Sequence, residues 1–189
     1  MSTKPASIPD NAKRVYEGYI FSVWQWEQQL FDGTTATFEA AQRVDAALAV
    51  GVLPNGNILM ISDEQPHREA LISSPGGRLE FGESPEDATR REFQEETGYS
   101  VGNLVPWFTH TFTDKIHFAA HFFIAKDLTK TGEPTLDPGE KIELLEFSFD
   151  EFLQLAWNPK LRERELRITL LEALADPKRK QALHDLLFI

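Results

Sequence analysis

Gly76–Tyr99 reads GGRLEFGESPEDATRREFQEETGY, with seven carboxylates against three arginines. Its middle is written as a helix. Ser84 is placed to cap the first free N–H groups, Pro85 suits the first helical position, and Glu86 and Asp87 favour the positive end of the dipole. Asp87 at the third position makes a near capping box. Gly98 offers a left-handed stop, so the spacing predicts a helix from about Pro85 to Thr97.

The end of that helix breaks the rule its start obeys. Glu92 lies four residues from Glu96 and three from Glu95, so all three carboxylates share one face. Each like-charge pair costs roughly 0.2–0.5 kcal/mol in a solvated helix, and the last turn is where anions are least favoured. Stability alone would place Lys or Arg there. A bland alternative is a solvated acidic face with no task. A divalent cation resolves the conflict, since hard oxygen donors on one face suit Mg²⁺, Mn²⁺ or Ca²⁺. The flanks favour the cation. Gly76-Gly77 lets main-chain atoms approach a metal or a phosphate with no side chain in the way. Ala88 and Thr89 keep the first half of the helix slim beside that loop, and Arg91 can pair with Glu83 to stitch loop to helix.

Gly77, Glu83, Arg91, Glu92, Phe93, Glu95, Glu96, Gly98 and Tyr99 follow the pattern G-x5-E-x7-R-E-U-x-E-E-x-G-U, where U is bulky and apolar. The segment resembles the Nudix box. A chance match of its fixed positions in this chain is on the order of one in a million at ordinary residue frequencies. Phe93 and Tyr99 are aromatic where aliphatics are more usual. The resemblance implies an α+β fold, a Nudix-type α/β/α sandwich with a mixed sheet, and hydrolysis of a nucleoside diphosphate linked to another group. It implies Glu92 and Glu96 as principal metal ligands, Glu95 in support and the Gly76 carbonyl as a further ligand. Glu83 and Arg91 would hold the loop, with Gly77 and Gly98 structural. The cofactor would be Mg²⁺ or Mn²⁺, neutralising the diphosphate and polarising a water.

Outside the box, VYEGYIFSV, the DGTTATFEA turn, FTDKIHFAAHFFIAKDL and GEKIELLEFSFDEFLQL resemble the branch of the family that cleaves ADP-ribose and similar nucleoside diphosphate sugars. That likeness runs from about Arg14 to Leu174. In that branch a glutamate in the loop before the last strand activates water or binds metal; GEKIEL puts Glu140 there, with Glu133 and Glu143 as weaker candidates. The branch usually has Pro-Ala-Gly where Pro75-Gly76-Gly77 stands, glutamate at Ser73, and Ser-Pro-Gly at Thr109-His110-Thr111. Its Gln-x-Arg has only Gln65 and Arg68 nearby. The box therefore fixes the reaction class better than the leaving group. Arg68 and His110 are candidate substrate contacts. The branch also swaps its N-terminal arm across a homodimer, where aromatics stack on the base. Trp24 and Trp26 alternate onto one face of the arm and serve either that role or simple packing. Phe21 points to the opposite face, toward core.

The rest of the chain supplies the frame. Arg14–Leu30 reads as one or two strands, Phe31-Asp32-Gly33 as a turn and Thr34–Arg43 as the partner strand. Ala46–Leu53 is a buried run joined through Asn55-Gly56 to Ile58–Ile61. Asp63–Glu69 reads as a polar loop and Leu71–Ser74 as a short strand. Leu104–Phe112 and Ile116–Lys126 are strands, 127–139 a loop, and Ile142–Phe149 a strand. Beyond Asp150 the periodicity is helical, with Leu166, Leu170, Leu174 and Leu171 forming a docking face. The expected division is an N-terminal tail and antiparallel hairpin arm over 1–44, a catalytic core over 45–150 and C-terminal helices over 151–189.

Composition narrows the partners. The 189 residues carry a net charge of −11, 41% apolar residues and no cysteine. Such a charge argues against nucleic acid and leaves a small-molecule nucleotide held through a metal. No apolar run spans a membrane and no signal-peptide stretch opens the chain, so a cytoplasmic protein is expected. His117 and His121 lie four apart in a strand, about 13 Å, which does not suit zinc. Two other functions compete with diphosphate-sugar cleavage. A housecleaning triphosphate pyrophosphatase usually lacks an N-terminal arm. A ligand-sensing regulator usually has a decayed box.

Overall fold

The computed structural model describes residues 8–189; residues 1–7 of the polar tail lie outside the described residues. Strands β1 (Lys13–Glu17), β2 (Phe21–Gln29) and β3 (Thr35–Arg43) form an antiparallel meander, the arm. Core strands β4 (Ala46–Val52), β5 (Ile58–Gln65), β6 (Arg68–Ser73) and β7 (Gly76–Arg78) follow, then helix α1 (Pro85–Thr97). Long strands β8 (Tyr99–Phe112) and β9 (Ile116–Lys130) form a hairpin, and β10 (Lys141–Phe147) closes the sheet. Helices α2 (Phe149–Gln154), α3 (Arg164–Ala175) and α4 (Pro177–Phe188) end the chain.

The strand order is β1-β2-β3-β9-β4-β5-β10, with β6 on β5, β7 on β4 and β8 on β9. Strand β9 pairs parallel with β3 at Ala41 and Gln42, then parallel with β4 from Ala46↔Ala120 to Gly51↔Ala125. Arm and core are thus one sheet. Its pleat sends alternate residues to two helix layers. Val50, Ile58, Met60 and Ile124 pack under α2, α3 and α4 with Leu166, Leu170 and Leu187. Ala47, Ala49, Leu59, Phe123 and Ala125 pack under α1 against Ala88 and Phe93. The result is a mixed sheet between helices, the α/β/α sandwich. No described helix is long and apolar enough to cross a membrane.

Three local readings change. The polar stretch after Asp63 is a tight hairpin, with Gln65 opposite Arg68 across Pro66-His67. Arg68 holds it shut by donating to the Asp63 carbonyl at 2.9 Å and to its carboxylate. Strand β9 runs on to Lys130 because Asp127 takes a left-handed φ of 54°, which Asp tolerates, beside Gly102. A Cβ at Gly102 would lie 2.8 Å from that of Asp127. Strand β8 accordingly begins at Tyr99 rather than Leu104.

Candidate active site

Helix α1 is held by its ends. The Asp87 N–H donates to Ser84 Oγ at 3.1 Å, and Gly98, at φ 71°, donates its N–H to the Gln94 carbonyl at 2.8 Å. Phe93, fully buried, anchors one face to the sheet. The other face meets the β6–β7 loop. There the Gly76 N–H donates to Glu96 Oε2 at 2.7 Å, and Glu96 is only 8% exposed. Gly76 has a φ of 145°, and a Cβ on it would sit 2.2 Å from the Ala47 carbonyl oxygen. A Cβ on Gly77 would lie 2.5 Å from Glu92 Oε1. Backbone approach and a positive φ require glycine at 76; at 77 a side chain would displace the Glu92 carboxylate.

Arg91 ties the acidic segment together. Its Nε and Nη2 donate to the two Glu83 oxygens at 2.9 and 3.0 Å, and its Nη1 donates to Glu92 Oε1 at 2.8 Å and Glu95 Oε2 at 3.2 Å. This bidentate pairing holds the Glu83 carboxyl below its usual range and raises Arg91 further. One guanidinium cannot settle the whole cluster. Burial pushes Glu96 up to about 9, with Glu92, Glu140 and Asp63 adding repulsion. Burial also raises Glu92, outweighing its Arg91 bond, and raises Glu140 beside Asp137 and Asp63.

These carboxylates share a small cleft of about 130 Å³ lined by Glu92, Glu95, Glu96, Asp137 and Glu140. Among the described residues no three acidic or histidine side chains converge closely enough to enclose an ion as they stand. Glu92 is turned to Arg91 and Glu96 to the Gly76 amide. The donor chemistry nevertheless fits a hard divalent cation: oxygen-only donors, crowded around buried Glu96, with Glu92, Glu96 and Glu140 resisting ionisation without a countercharge.

Glu92, Glu96 and Glu140 also face a cavity of about 810 Å³, within the range of small-molecule sites. Its far wall is aromatic and basic. Phe112 and Phe118 stack at 4.3 Å and 6°, and the Arg43 guanidinium lies 4.7 Å over Phe118. Phe122 of β9 and Arg78 of β7 also line the cavity. Phe21, expected in the core, is 40% exposed and lines this cavity, because β2 starts beside Arg43 at its mouth.

Other expected residues lie elsewhere. Trp24 donates its indole N–H to Gln42 at 2.9 Å, and Trp26 packs on Phe38 at 6.1 Å; neither lines the cavity. Arg68 is spent on Asp63 and also stands outside it. His110 sits at its edge, 3.9 Å from Glu165, which does line it. Glu133 borders a groove behind α1, and Glu143 is exposed on β10 opposite Ser62. His121 contacts Thr109 at 3.1 Å and Asp45 at 3.9 Å. Sequence reasoning missed Arg43, Asp63, Arg162 and Glu163, all cavity-lining. The only signal for the last two was a charge run, RERE, opening an amphipathic helix.

The model of the NUDIX domain matches residues 42–168, more than half the chain. The chain belongs to the Nudix family. Its class is that of a Nudix pyrophosphohydrolase. An ADP-ribose pyrophosphatase of Bacillus subtilis (strain 168) is 28% identical over 149 residues, 76% of this chain and 79% of that protein. A methanol dehydrogenase activator of Bacillus methanolicus is also 28% identical, over 75% of this chain and 78% of its own. A GDP-mannose pyrophosphatase of Klebsiella pneumoniae is 34% identical, over 55% of this chain and 54% of that one. A solved structure, described as that of an ADP compounds hydrolase, superposes with a TM-score of 0.71 at 18% identity, covering 86% of this chain and 89% of that one. It shares the Nudix fold, with the Nudix box of this chain on the loop and helix that carry Gly76 to Gly98.

Proposed function

We propose that this Nudix protein hydrolyses, with a divalent metal, the pyrophosphate bond of a nucleoside diphosphate sugar resembling ADP-ribose, giving a nucleoside monophosphate and a sugar phosphate. One observation carries the reading: buried Glu96 and half-buried Glu92 line a single cavity with Phe112, Phe118, Phe122 and Arg43. Carboxylates suit a metal-bridged diphosphate; aromatic and guanidinium groups suit a nucleoside and its phosphates. The likeness to the ADP-ribose pyrophosphatase of Bacillus subtilis supports the same substrate class.

In this reading Glu92, Glu96 and the Gly76 carbonyl hold Mg²⁺ or Mn²⁺, with Glu95 in support. The metal, when bound, neutralises diphosphate charge and lowers the pKa of water. Glu96 deprotonates to take that role, so affinity rises with pH. Glu140 accepts the proton of the attacking water, burial having raised its carboxyl above the usual range and so made it a stronger base. The Arg91–Glu83 pair keeps the Gly77-bearing loop against α1. His110 contributes at the cavity edge. Val15, Tyr16, Tyr19 and Ile20 leave apolar surface exposed on and beside β1, and a homodimer would cover it.

The test is hydrolysis of ADP-ribose, GDP-mannose, UDP-glucose, NADH, diadenosine polyphosphates and nucleoside triphosphates, each with Mg²⁺ and with Mn²⁺. Preference for one diphosphate sugar supports the reading. Preference for triphosphates, or turnover without added metal, overturns it.

A further inference from the structure

The loop that carries Gly76 is gripped from two sides. On one, Glu96 of α1 takes the Gly76 N–H at 2.7 Å. On the other, Glu163 Oε1 takes the Ser74 N–H at 3.2 Å. Ser74 is buried, so its amide must find a protein acceptor. Glu163 is 7% exposed and lines the same cavity as Glu96.

The C-terminal segment is built to bring Glu163 there. Ile72 of β6 donates its N–H to the Lys160 carbonyl at 2.9 Å, and Arg162 donates back to the Ile72 carbonyl at 2.9 Å. Leu161, buried, pairs with Ile72 as a parallel bridge. This short extra strand fixes the backbone just before Glu163. Glu163 then occupies the N-cap of α3 but gives that helix no side-chain cap. Ser, Thr, Asp or Asn would serve a cap better. Its second oxygen, Oε2, is buried with no hydrogen-bond partner, an arrangement that costs stability. The side chain is diverted from its helix to the loop. Local rules broken in this way mark a functional constraint.

We infer that Glu163 is a positioning residue: through the Ser74 amide it sets the Gly76 loop against Glu96, so that metal affinity depends on the C-terminal helices. The inference rests on the proposed metal-binding role of Gly76 and Glu96.

Glu163→Asp separates this role from a structural one. Aspartate is the better helix cap, but its carboxylate is drawn back one methylene from Ser74. Glu163→Gln keeps both the length and an oxygen acceptor. The measurement is Mn²⁺ titration of the substrate-free full chain by electron paramagnetic resonance, with thermal unfolding and steady-state kinetics on the same samples. Glu163→Asp should unfold near the wild-type temperature, its better helix cap offsetting the freed Ser74 amide, yet bind Mn²⁺ about tenfold more weakly, as loss of a ligand's supporting partner does. Glu163→Gln should bind Mn²⁺ like wild type. If wild type binds Mn²⁺ and cleaves a diphosphate sugar, and Glu163→Asp does both equally well, this inference alone is overturned. Equal weakening in Glu163→Gln and Glu163→Asp overturns it too. Failure of wild type to bind Mn²⁺ overturns the functional reading and this inference together.

Discussion

Helices α2 and α4 both open with a side-chain cap. Ser148 and Glu151 of α2 close a reciprocal capping box, with the Ser148 N–H donating to Glu151 Oε2 at 2.8 Å. Asp176 caps α4 by accepting from the Lys178 N–H at 2.8 Å, and Pro177 follows at the first position. Helices α1 and α3 each break a rule once. The last turn of α1 carries Glu95 and Glu96 and no basic residue; the N-cap of α3 is a glutamate whose side chain faces away. Both departures fall on the cavity, and both touch the Gly76 loop. The capped starts of α2 and α4 lie outside that cavity. The rule-breaking ends line the cavity, at a standing cost in stability.

That contrast can be broken by substitution, most severely at Glu96. Glu96→Gln should lower turnover of the preferred substrate by more than about 100-fold, beyond the range for losing a ligand's supporting partner. It should also raise the unfolding temperature of metal-free protein, by roughly 2–4 °C per kcal/mol of relieved strain for a chain of this size. The sign follows from the folded carboxyl lying at about 9 against an ordinary 4.5. Between those values the folded state holds more protons than the unfolded one, so wild-type stability falls as pH rises from about 4.5 to about 9. Glu163, raised by burial to about 7, contributes the same sign over the lower part of that window. Calorimetry of metal-free wild type across pH checks the slope; a flat or rising profile contradicts it. Mg²⁺ should steepen the contrast by stabilising wild type at pH 8 but not Glu96→Gln.

A smaller effect is expected at Glu140. Glu140→Gln should slow turnover by about 100-fold, at the lower end of general-base contributions, while Mn²⁺ binding stays near wild type. An unchanged rate would move the base elsewhere. The least effect belongs to the capped start of α2. Ser148→Ala should cost about 1 kcal/mol, seen as a lower unfolding temperature, with kcat/KM unchanged.

The box helix was legible because its determinants are local. Ser84, Pro85 and Gly98 punctuate one continuous stretch, and the clash of Glu92, Glu95 and Glu96 is visible from spacing alone. The sandwich followed from apolar runs whose alternation the sheet preserves. What escaped depends on distant partners. Arg68 looked free for substrate until Asp63, five residues upstream, folded onto it across a two-residue turn. Phe21 looked like core because nothing in its own strand reveals that β3 ends at the cavity mouth. Glu163 is 89 residues from the amide it holds, and tertiary contacts such as the Ile72–Leu161 bridge bring them together.

Strand β9 carries a consequence for selectivity. Its Phe118 and Phe122 form the aromatic wall, while the Gly76 loop hangs from β4, its neighbour, through the pairs Leu48↔Gly76 and Ala47↔Gly77. The two walls are therefore spaced by rungs of a ladder. A slip of one residue would turn every cavity residue of β9 to the opposite face; the next allowed slip, of two, would move one wall past the other by roughly 6.6 Å. The cavity can change length only in such steps, so a longer or shorter ligand has to be met by loops at its mouth, never by gradual adjustment of the frame.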